Sequence, residues 1–284
     1  MQVQVIAMPY DLGRRATGVG AGPLRLLDAG LVGALEDAGH STDVTIVERD
    51  GTWTGAADAV AELGRALAAA VRDSCARGAW PLVLAGNCNS AIGTLAGIGP
   101  RDAGALWFDA HGDINTPETS PTGYLDGMGL AVATGRCLPE LWRAATPEPV
   151  LTDDRVVLAG VRALDDGESD LLDRSGVEVV DAARARAGYD ALRAPVERLA
   201  AAAPGGVYVH LDVDVLDPGV APGVGFPTPD GVAPDVVAGA LRDLGRRGAL
   251  RALGVTAFDP AADRDDRSVA TITELVVVAA AAAG

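Results

Sequence analysis

WPLVLAGNCNSAIGTLAG, residues 80–97, reads as an apolar strand, a tight turn and a helix of small residues. A strand that passes through a turn into a helix is the unit from which parallel α/β sheets are built. In such a sheet the turn lies at the carboxyl edge, where the crevice between strands receives ligands. Cys88 stands at this turn, flanked by Asn87 and Asn89. By residue type it suits three roles: nucleophile, metal ligand or small apolar filler.

The same alternation runs along the chain. Strand patterns fall at 3–8, 42–48, 80–85, 104–111, 155–162, 177–181, 206–218 and 252–260. Helical patterns begin at Pro23 and cover 55–78, 125–135, 165–176, 189–203, 234–248 and the carboxyl terminus. This predicts an α/β fold: a single three-layer α/β/α domain over residues 1–284, with a parallel sheet of about eight strands. No linker or low-complexity boundary interrupts it. Two long loops, 112–124 and 217–233, are rich in Pro, Gly and Thr, and long loops at strand ends are where functional residues gather.

Composition narrows the function classes. The net charge of −16 argues against binding nucleic acid or an anionic membrane. Every basic residue is Arg and none is Lys, which with the high Ala, Gly and Val content reads as compositional bias. The longest apolar run, LVVVAAAAAG, is shorter than the roughly 20 residues a membrane span needs. The amino terminus lacks a secretory pattern. The 3 cysteines are widely spaced and give no disulfide framework; Cys75 and Cys137 read as fillers. A cytoplasmic protein is expected.

Two acidic clusters carry the chemistry. FDAHGD sets Asp109, His111 and Asp113 at alternate positions, and HLDVD does the same with His210, Asp212 and Asp214. In an extended chain, residues two apart share a face. Each cluster follows an apolar strand, so both belong at the carboxyl edge of the sheet. Four carboxylates gathered in a dry crevice repel one another unless a cation compensates them. Oxygen-rich ligation with limited imidazole suits Mn²⁺ or Mg²⁺. The set is large enough for two ions at the spacing of about 3.5–4 Å usual in hydrolytic two-metal sites.

Three longer motifs carry a family resemblance: GRRATGVGAGPLRLLDAG (13–30), WFDAHGDINTPETSPTGYLDGM (107–128) and HLDVDVLDPGVAPGVGFPTPDG (210–231). In this order they resemble the signatures of the arginase and agmatinase family of ureohydrolases. The resemblance implies an α/β/α fold and a homotrimer or homohexamer. It also implies two Mn²⁺ per subunit, with a metal-bridging hydroxide that attacks a guanidinium carbon to release urea and an amine. Carried over by position, it makes Asp109 and Asp212 bridging ligands, with Cys88 and Asp113 completing the first metal site and His111 and Asp214 the second. Asn115 and Thr122 fall where an amino-acid carboxylate is held, and Asp165 where a substrate amino group is contacted.

The departures from the family pattern are specific. The usual Gly-Gly-Asp-His turn is Ala85-Gly86-Asn87-Cys88 here. Thiolate is softer than imidazole, so the first site is expected to be weakened for Mn²⁺ by Cys88 or to select another metal. A cysteine at this place resembles the branch that hydrolyses Nω-hydroxy-L-arginine to hydroxyurea and ornithine. Asp126 stands where the family has a proton-shuttling histidine, a poor acid near neutral pH unless burial raises its pKa from about 3.9. Ala257 stands where the family binds guanidinium with a glutamate, and by strand alternation Asp259 shares its face and is expected to substitute. Tyr124 replaces an asparagine and implies a different substrate tail.

His210 reads as a partner of the ligands. Asp113, Asp126 and His210 are therefore the candidates for a direct part in catalysis. Asn115, Thr122, Tyr124, Asp165 and Asp259 are the candidates for binding substrate. The expectation is a hydrolase of a guanidino or Nω-hydroxyguanidino compound. Two other readings stay open: a C–N hydrolase of a non-guanidine amide or amidine, and a metal-deficient homologue without catalysis.

Overall fold

A computed structural model describes residues 1–49 and 52–284. Eight strands form one sheet: β1 (Gln2–Met8), β2 (Ser41–Ile46), β3 (Trp80–Ala85), β4 (Gly104–Phe108), β5 (Val156–Ala159), β6 (Glu178–Val180), β7 (Val207–Asp212) and β8 (Leu250–Thr256). Their order is β2-β1-β3-β8-β7-β4-β5-β6, and every neighbouring pair is parallel. This is the three-layer α/β arrangement the sequence pattern predicts. It makes neighbours of β4 and β7, the strands that lead into the two acidic clusters. Among the described residues no helix is long and apolar enough to cross a membrane.

The central strands read as near-continuous apolar runs because helices cover both faces. WPLVLA of β3 and GALWF of β4 are buried at every position. Pro81, which has no amide hydrogen to donate, sits where β3 pairs with β1 but before β8 joins at Leu82. Alternate side chains serve opposite layers. Leu82, Leu84, Leu106 and Phe108 pack in the core that includes residues of helices Asp190–Ala202, Pro234–Arg246 and Arg267–Ala283. Trp107 and Tyr208 join Ile92 and Leu95 of helix Ser90–Ile98. Val83 and Ala85 meet Leu63, Leu67 and Val71 of helix Ala56–Ala76.

The small residues of SAIGTLAGI are demanded by the packing of these last two helices. A Cβ on Gly93 would lie 2.7 Å from the Gly64 carbonyl oxygen, and one on Gly97 would lie 2.5 Å from Val71 Cβ. The helix stays short of side chain so that the turn before it can sit deep in the molecule.

The differences from the sequence pattern concentrate at strand ends. β4 stops at Phe108 instead of reaching 111, β7 at Asp212 instead of 218, and β8 at Thr256 instead of 260. Ala257, directly after β8, adopts left-handed backbone with φ of 60°, which ends the extended structure there; Asp113, with φ of 50°, does the same further along the coil that follows β4. Helices Leu31–Asp37, Pro139–Ala145 and Ala182–Ala185, and the hairpin of Tyr10–Asp11 with Arg14–Arg15, have no counterpart in the sequence pattern.

Gly97→Ala is expected to destabilise the protein by about 1–3 kcal/mol, because the added methyl overpacks a closed helix contact. Gly64→Ala meets nothing within 4 Å and is expected to stabilise by roughly 0.5–1 kcal/mol through helix propensity. Urea unfolding midpoints of the two variants check this contrast; equal shifts would refute it.

Candidate metal centre

The cluster assembles at the carboxyl edge of β3, β4 and β7. The turn after β3 presents Cys88, the coil after β4 presents Asp109, His111 and Asp113, and β7 ends in His210 and Asp212. A short 3-10 turn, Val213–Val215, carries Asp214. Strand alternation accounts only for His210 and Asp212 on β7; contrary to expectation it does not bring the other acids together, because β4 has ended before Asp109 and β7 before Asp214. Instead each first aspartate binds its own turn: Asp109 Oδ1 accepts from the His111 amide at 2.7 Å, and Asp212 Oδ1 from the Asp214 amide at 2.8 Å. Cross-links between the segments follow. The Ala110 amide donates to Asp214 Oδ1 at 3.0 Å, and His111 Nδ1 lies 3.0 Å from Asp214 Oδ2 and 3.4 Å from Asp109 Oδ1. Cys88 Sγ donates to Asp212 Oδ2 at 2.9 Å, and Trp107 Nε1 to Asp109 Oδ2 at 3.1 Å.

Two groups of donor atoms result, each with all members within 4.8 Å of one another: Cys88, Asp109, Asp113 and His210, and Asp109, His111 and Asp214. Asp109 belongs to both. Asp212 stands outside both groups while touching Cys88.

The electrostatics are those of a cation site. Burial, reinforced by Asp214, pushes the Asp109 carboxyl up to about 6. Burial and neighbouring carboxylates push Asp113 and Asp212 well above the ordinary range, and the Cys88 thiol likewise. Burial works against a charge on His111, yet Asp109 and Asp214 outweigh it and push the imidazole up to about 12. Burial also raises Asp214, but His111 and the Ala110 amide outweigh it and hold that carboxyl below its ordinary value. Asp113 Oδ2 is buried without a hydrogen-bond partner. An orphaned carboxylate oxygen among thiol, imidazole and carboxylate donors fits a divalent cation.

Above the cluster opens a cavity of about 670 Å³. Its lining includes Cys88, His111, Asp113, Asp212 and Asp214 at the floor, and Asn115, Thr122, Tyr124, Asp126, Asp165, Phe226 and Ala257 around them. Asp109 and His210 are buried and are not part of the lining. Asp259 is not part of it either. The left-handed Ala257 breaks the alternation that would have aimed Asp259 inward, and its Oδ1 accepts from the Ala261 amide at 2.9 Å. The expected replacement for the guanidinium-binding glutamate is thus turned into a loop contact. A larger groove of about 940 Å³ lies elsewhere, lined by Arg72, Arg101, Glu148 and Arg251 among others, and holds none of these donors.

Asp126 is held from one side by the asparagines that flank Cys88. Asn87 Nδ2 donates to Oδ2 at 2.8 Å, while the Asn89 amide and Nδ2 donate to Oδ1 at 3.1 and 3.2 Å. Burial pushes its carboxyl up to about 7, the asparagines opposing it in part. Asn115 Nδ2 donates to Asp165 Oδ2 at 2.9 Å, joining two of the substrate candidates.

Several contributors were not among the candidates. Glu168 accepts from the Ile114 and Asp165 amides at 3.3 and 3.1 Å and so ties the loop after β4 to that after β5. Arg162 donates to the carbonyls of Asp214, Val215 and Thr228, buckling the loop that carries Phe226. Exposed Phe226 meets the rings of His111 and Tyr124 at 6.2 and 6.3 Å. An arginine as the last residue of a strand pattern, and a lone Phe in a Gly-Pro loop, were the only signals of the last two in the sequence.

Comparison with known proteins bears on this centre. The family model described as arginase family matches residues 1–282. The chain belongs to the arginase family. It is 34% identical to arginase of Bacillus subtilis over 286 residues, covering 96% of each chain, and 37% identical to arginase of Bacillus caldovelox over 243 residues, covering 81% of each. The crystal structure of Bacillus cereus arginase superposes with a TM-score of 0.88 at 32% identity, over 98% of both chains. Within the arginase family, Cys88, Asp126 and Ala257 of this chain meet around one cavity, so the departures noted in the sequence are a single local cluster.

In the metal-free protein the raised carboxyls of Asp109 and Asp126 keep protons that the unfolded chain has lost above about pH 4. That contribution is complete at acid pH and disappears as pH rises through about 6 and 7. His111 acts with the same sign from about pH 6.5 upward. The melting temperature of metal-stripped protein is therefore expected to fall from pH 4 to 8, and to fall less with divalent cation present. A melting temperature that rises over this window would contradict the assignment of these shifts.

Proposed function

We propose that this chain hydrolyses a C–N bond of a small guanidino compound at a dinuclear metal centre, releasing urea and an amine. The observation that carries this reading is the sharing of Asp109 by two close donor groups beneath an open cavity. Cys88, Asp109, Asp113 and Asp212 would hold the first ion; Asp109, His111, Asp212 and Asp214 the second, which is suited to Mn²⁺. When bound, such a pair would acidify a water molecule and so supply hydroxide near neutral pH.

The protein side of the chemistry follows from the cavity. Asp126 faces it with both oxygens tethered, and with its pKa pushed up to about 7 it can take and return a proton at working pH. Asn115, Thr122 and Asp165 offer polar groups to an amino-acid-like tail. Tyr124 and Phe226 form an aromatic rim that limits the entry of water.

Within this class an Nω-hydroxyguanidino substrate, with hydroxyurea as product, accords with Cys88, Tyr124 and Ala257, all changed from the arginase pattern. Ala257 also favours a second reading. A floor without a carboxylate for guanidinium suits a neutral amide or amidine, and Asp259 does not face the cavity to replace it. The assembly proposed is a homotrimer or homohexamer.

A product assay for urea and hydroxyurea across arginine, Nω-hydroxyarginine, agmatine and guanidino acids tests this. The expected result is turnover of at least one substrate, largest for the hydroxylated one, lowered at least about 100-fold by Asp109→Asn. No product from any of them would reject the guanidino reading in favour of the amide one.

A further inference from the structure

His210 does not fit the part of a passive support. Its ring is wholly buried and stacked on Trp107 with centroids 3.8 Å apart and planes 21° apart. Nδ1 lies 3.0 Å from the Tyr208 hydroxyl. The room for that hydroxyl comes from Gly254, where a Cβ would lie 2.3 Å from it. Nε2 lies 3.3 Å from Thr256 Oγ1, itself 3.4 Å from Cys88 Sγ, so the ring is anchored through one nitrogen with the other next to a neighbour of the thiol, an arrangement metal-ligating histidines share. A donor atom of His210 comes within 4.8 Å of Cys88 Sγ and of carboxylate oxygens of Asp109 and Asp113, which are likewise within 4.8 Å of one another. That span suits four ligands at about 2.0–2.3 Å from one ion. The orphaned Asp113 Oδ2 belongs to the same group of residues.

We propose that His210 is a direct ligand of the first metal position, and that with Cys88 it makes this position select a softer divalent cation than the second. The inference rests on the dinuclear reading above. The chemistry of the two donor sets differs in the required sense. Thiolate and imidazole with carboxylates suit cobalt or zinc, whereas Asp109, His111, Asp212 and Asp214 form an oxygen-rich set suited to manganese. The loss of histidine at position 88 is then no loss of imidazole, because β7 supplies one from below.

A competing arrangement is visible in the same geometry. Thr256 Oγ1 lies 3.3 Å from His210 Nε2 and 3.4 Å from Cys88 Sγ, so a histidine acting through the threonine hydroxyl would only position the sulfur. The test must separate the two.

Full-length protein, stripped of metal and then held in excess Mn²⁺, is titrated with Co²⁺ while bound metals and electronic absorption are followed. The first equivalent of cobalt is expected to enter alone, with a thiolate-to-cobalt band that is complete before the second equivalent binds. X-ray absorption of that species should show one sulfur and one imidazole on cobalt, a readout that needs no variant. His210→Asn should weaken cobalt binding at this position by more than about tenfold, while Thr256→Val leaves it near the parent value. A band that appears only with the second equivalent overturns the selectivity. Cobalt without imidazole, a His210→Asn variant with parental affinity, or a Thr256→Val variant that matches its loss overturns the ligand assignment. Failure to bind either ion would overturn the dinuclear reading itself.

Discussion

Like charges that must be buried together set the terms for the rest of this molecule. Asp109, Asp113, Asp212 and Asp214 converge at the ends of two adjacent strands, with Asp126 close by and little solvent to screen them. Such a gathering persists only if protons, hydrogen bonds or cations neutralise it. The chain supplies the first two itself. The Ala110, His111 and Asp214 amides and the Trp107 indole all donate into the cluster, and His111 lies against two of its carboxylates. Sheet order is part of the same solution. Residues about a hundred apart in sequence meet because β4 and β7 are hydrogen-bonded neighbours.

That constraint also explains what was legible in the sequence. The strand at 80–85 and the two acidic clusters could be read because each couples an unbroken apolar run to an abrupt change in chemistry. The structure brings these residues together on a different physical ground from the one that singled them out. Alternation along a strand covers only His210 and Asp212; the other acids lie beyond the strand ends, and turns held by Asp109 and Asp212 do the converging. Where alternation alone carried the inference, at Asp259, it failed, since nothing in the residue type of Ala257 announces a left-handed backbone. Arg162 was illegible for another reason. Its partners are backbone carbonyls, which every residue has, so its role exists only in the folded loop.

The lower and upper halves of the site follow different rules. Beneath the cavity, Trp107, Tyr208, His210 and Thr256 are buried and linked by stacking and hydrogen bonds. At the rim, Thr122, Tyr124 and Phe226 are exposed and sit on the two long loops. The floor of the cavity is thus buried and tied to the sheet, while its rim lies on exposed loop.

The contact between Asn87 and Asp126 joins the turn after β3 to the loop after β4. Asn87 Nδ2 donates to Asp126 Oδ2 at 2.8 Å, and the Asn89 amide and side chain hold the other oxygen. Cys88 lies between these two asparagines. The thiol at the floor of the cavity and the buried carboxyl beside it are therefore set by one turn, and a shift of that turn carries both.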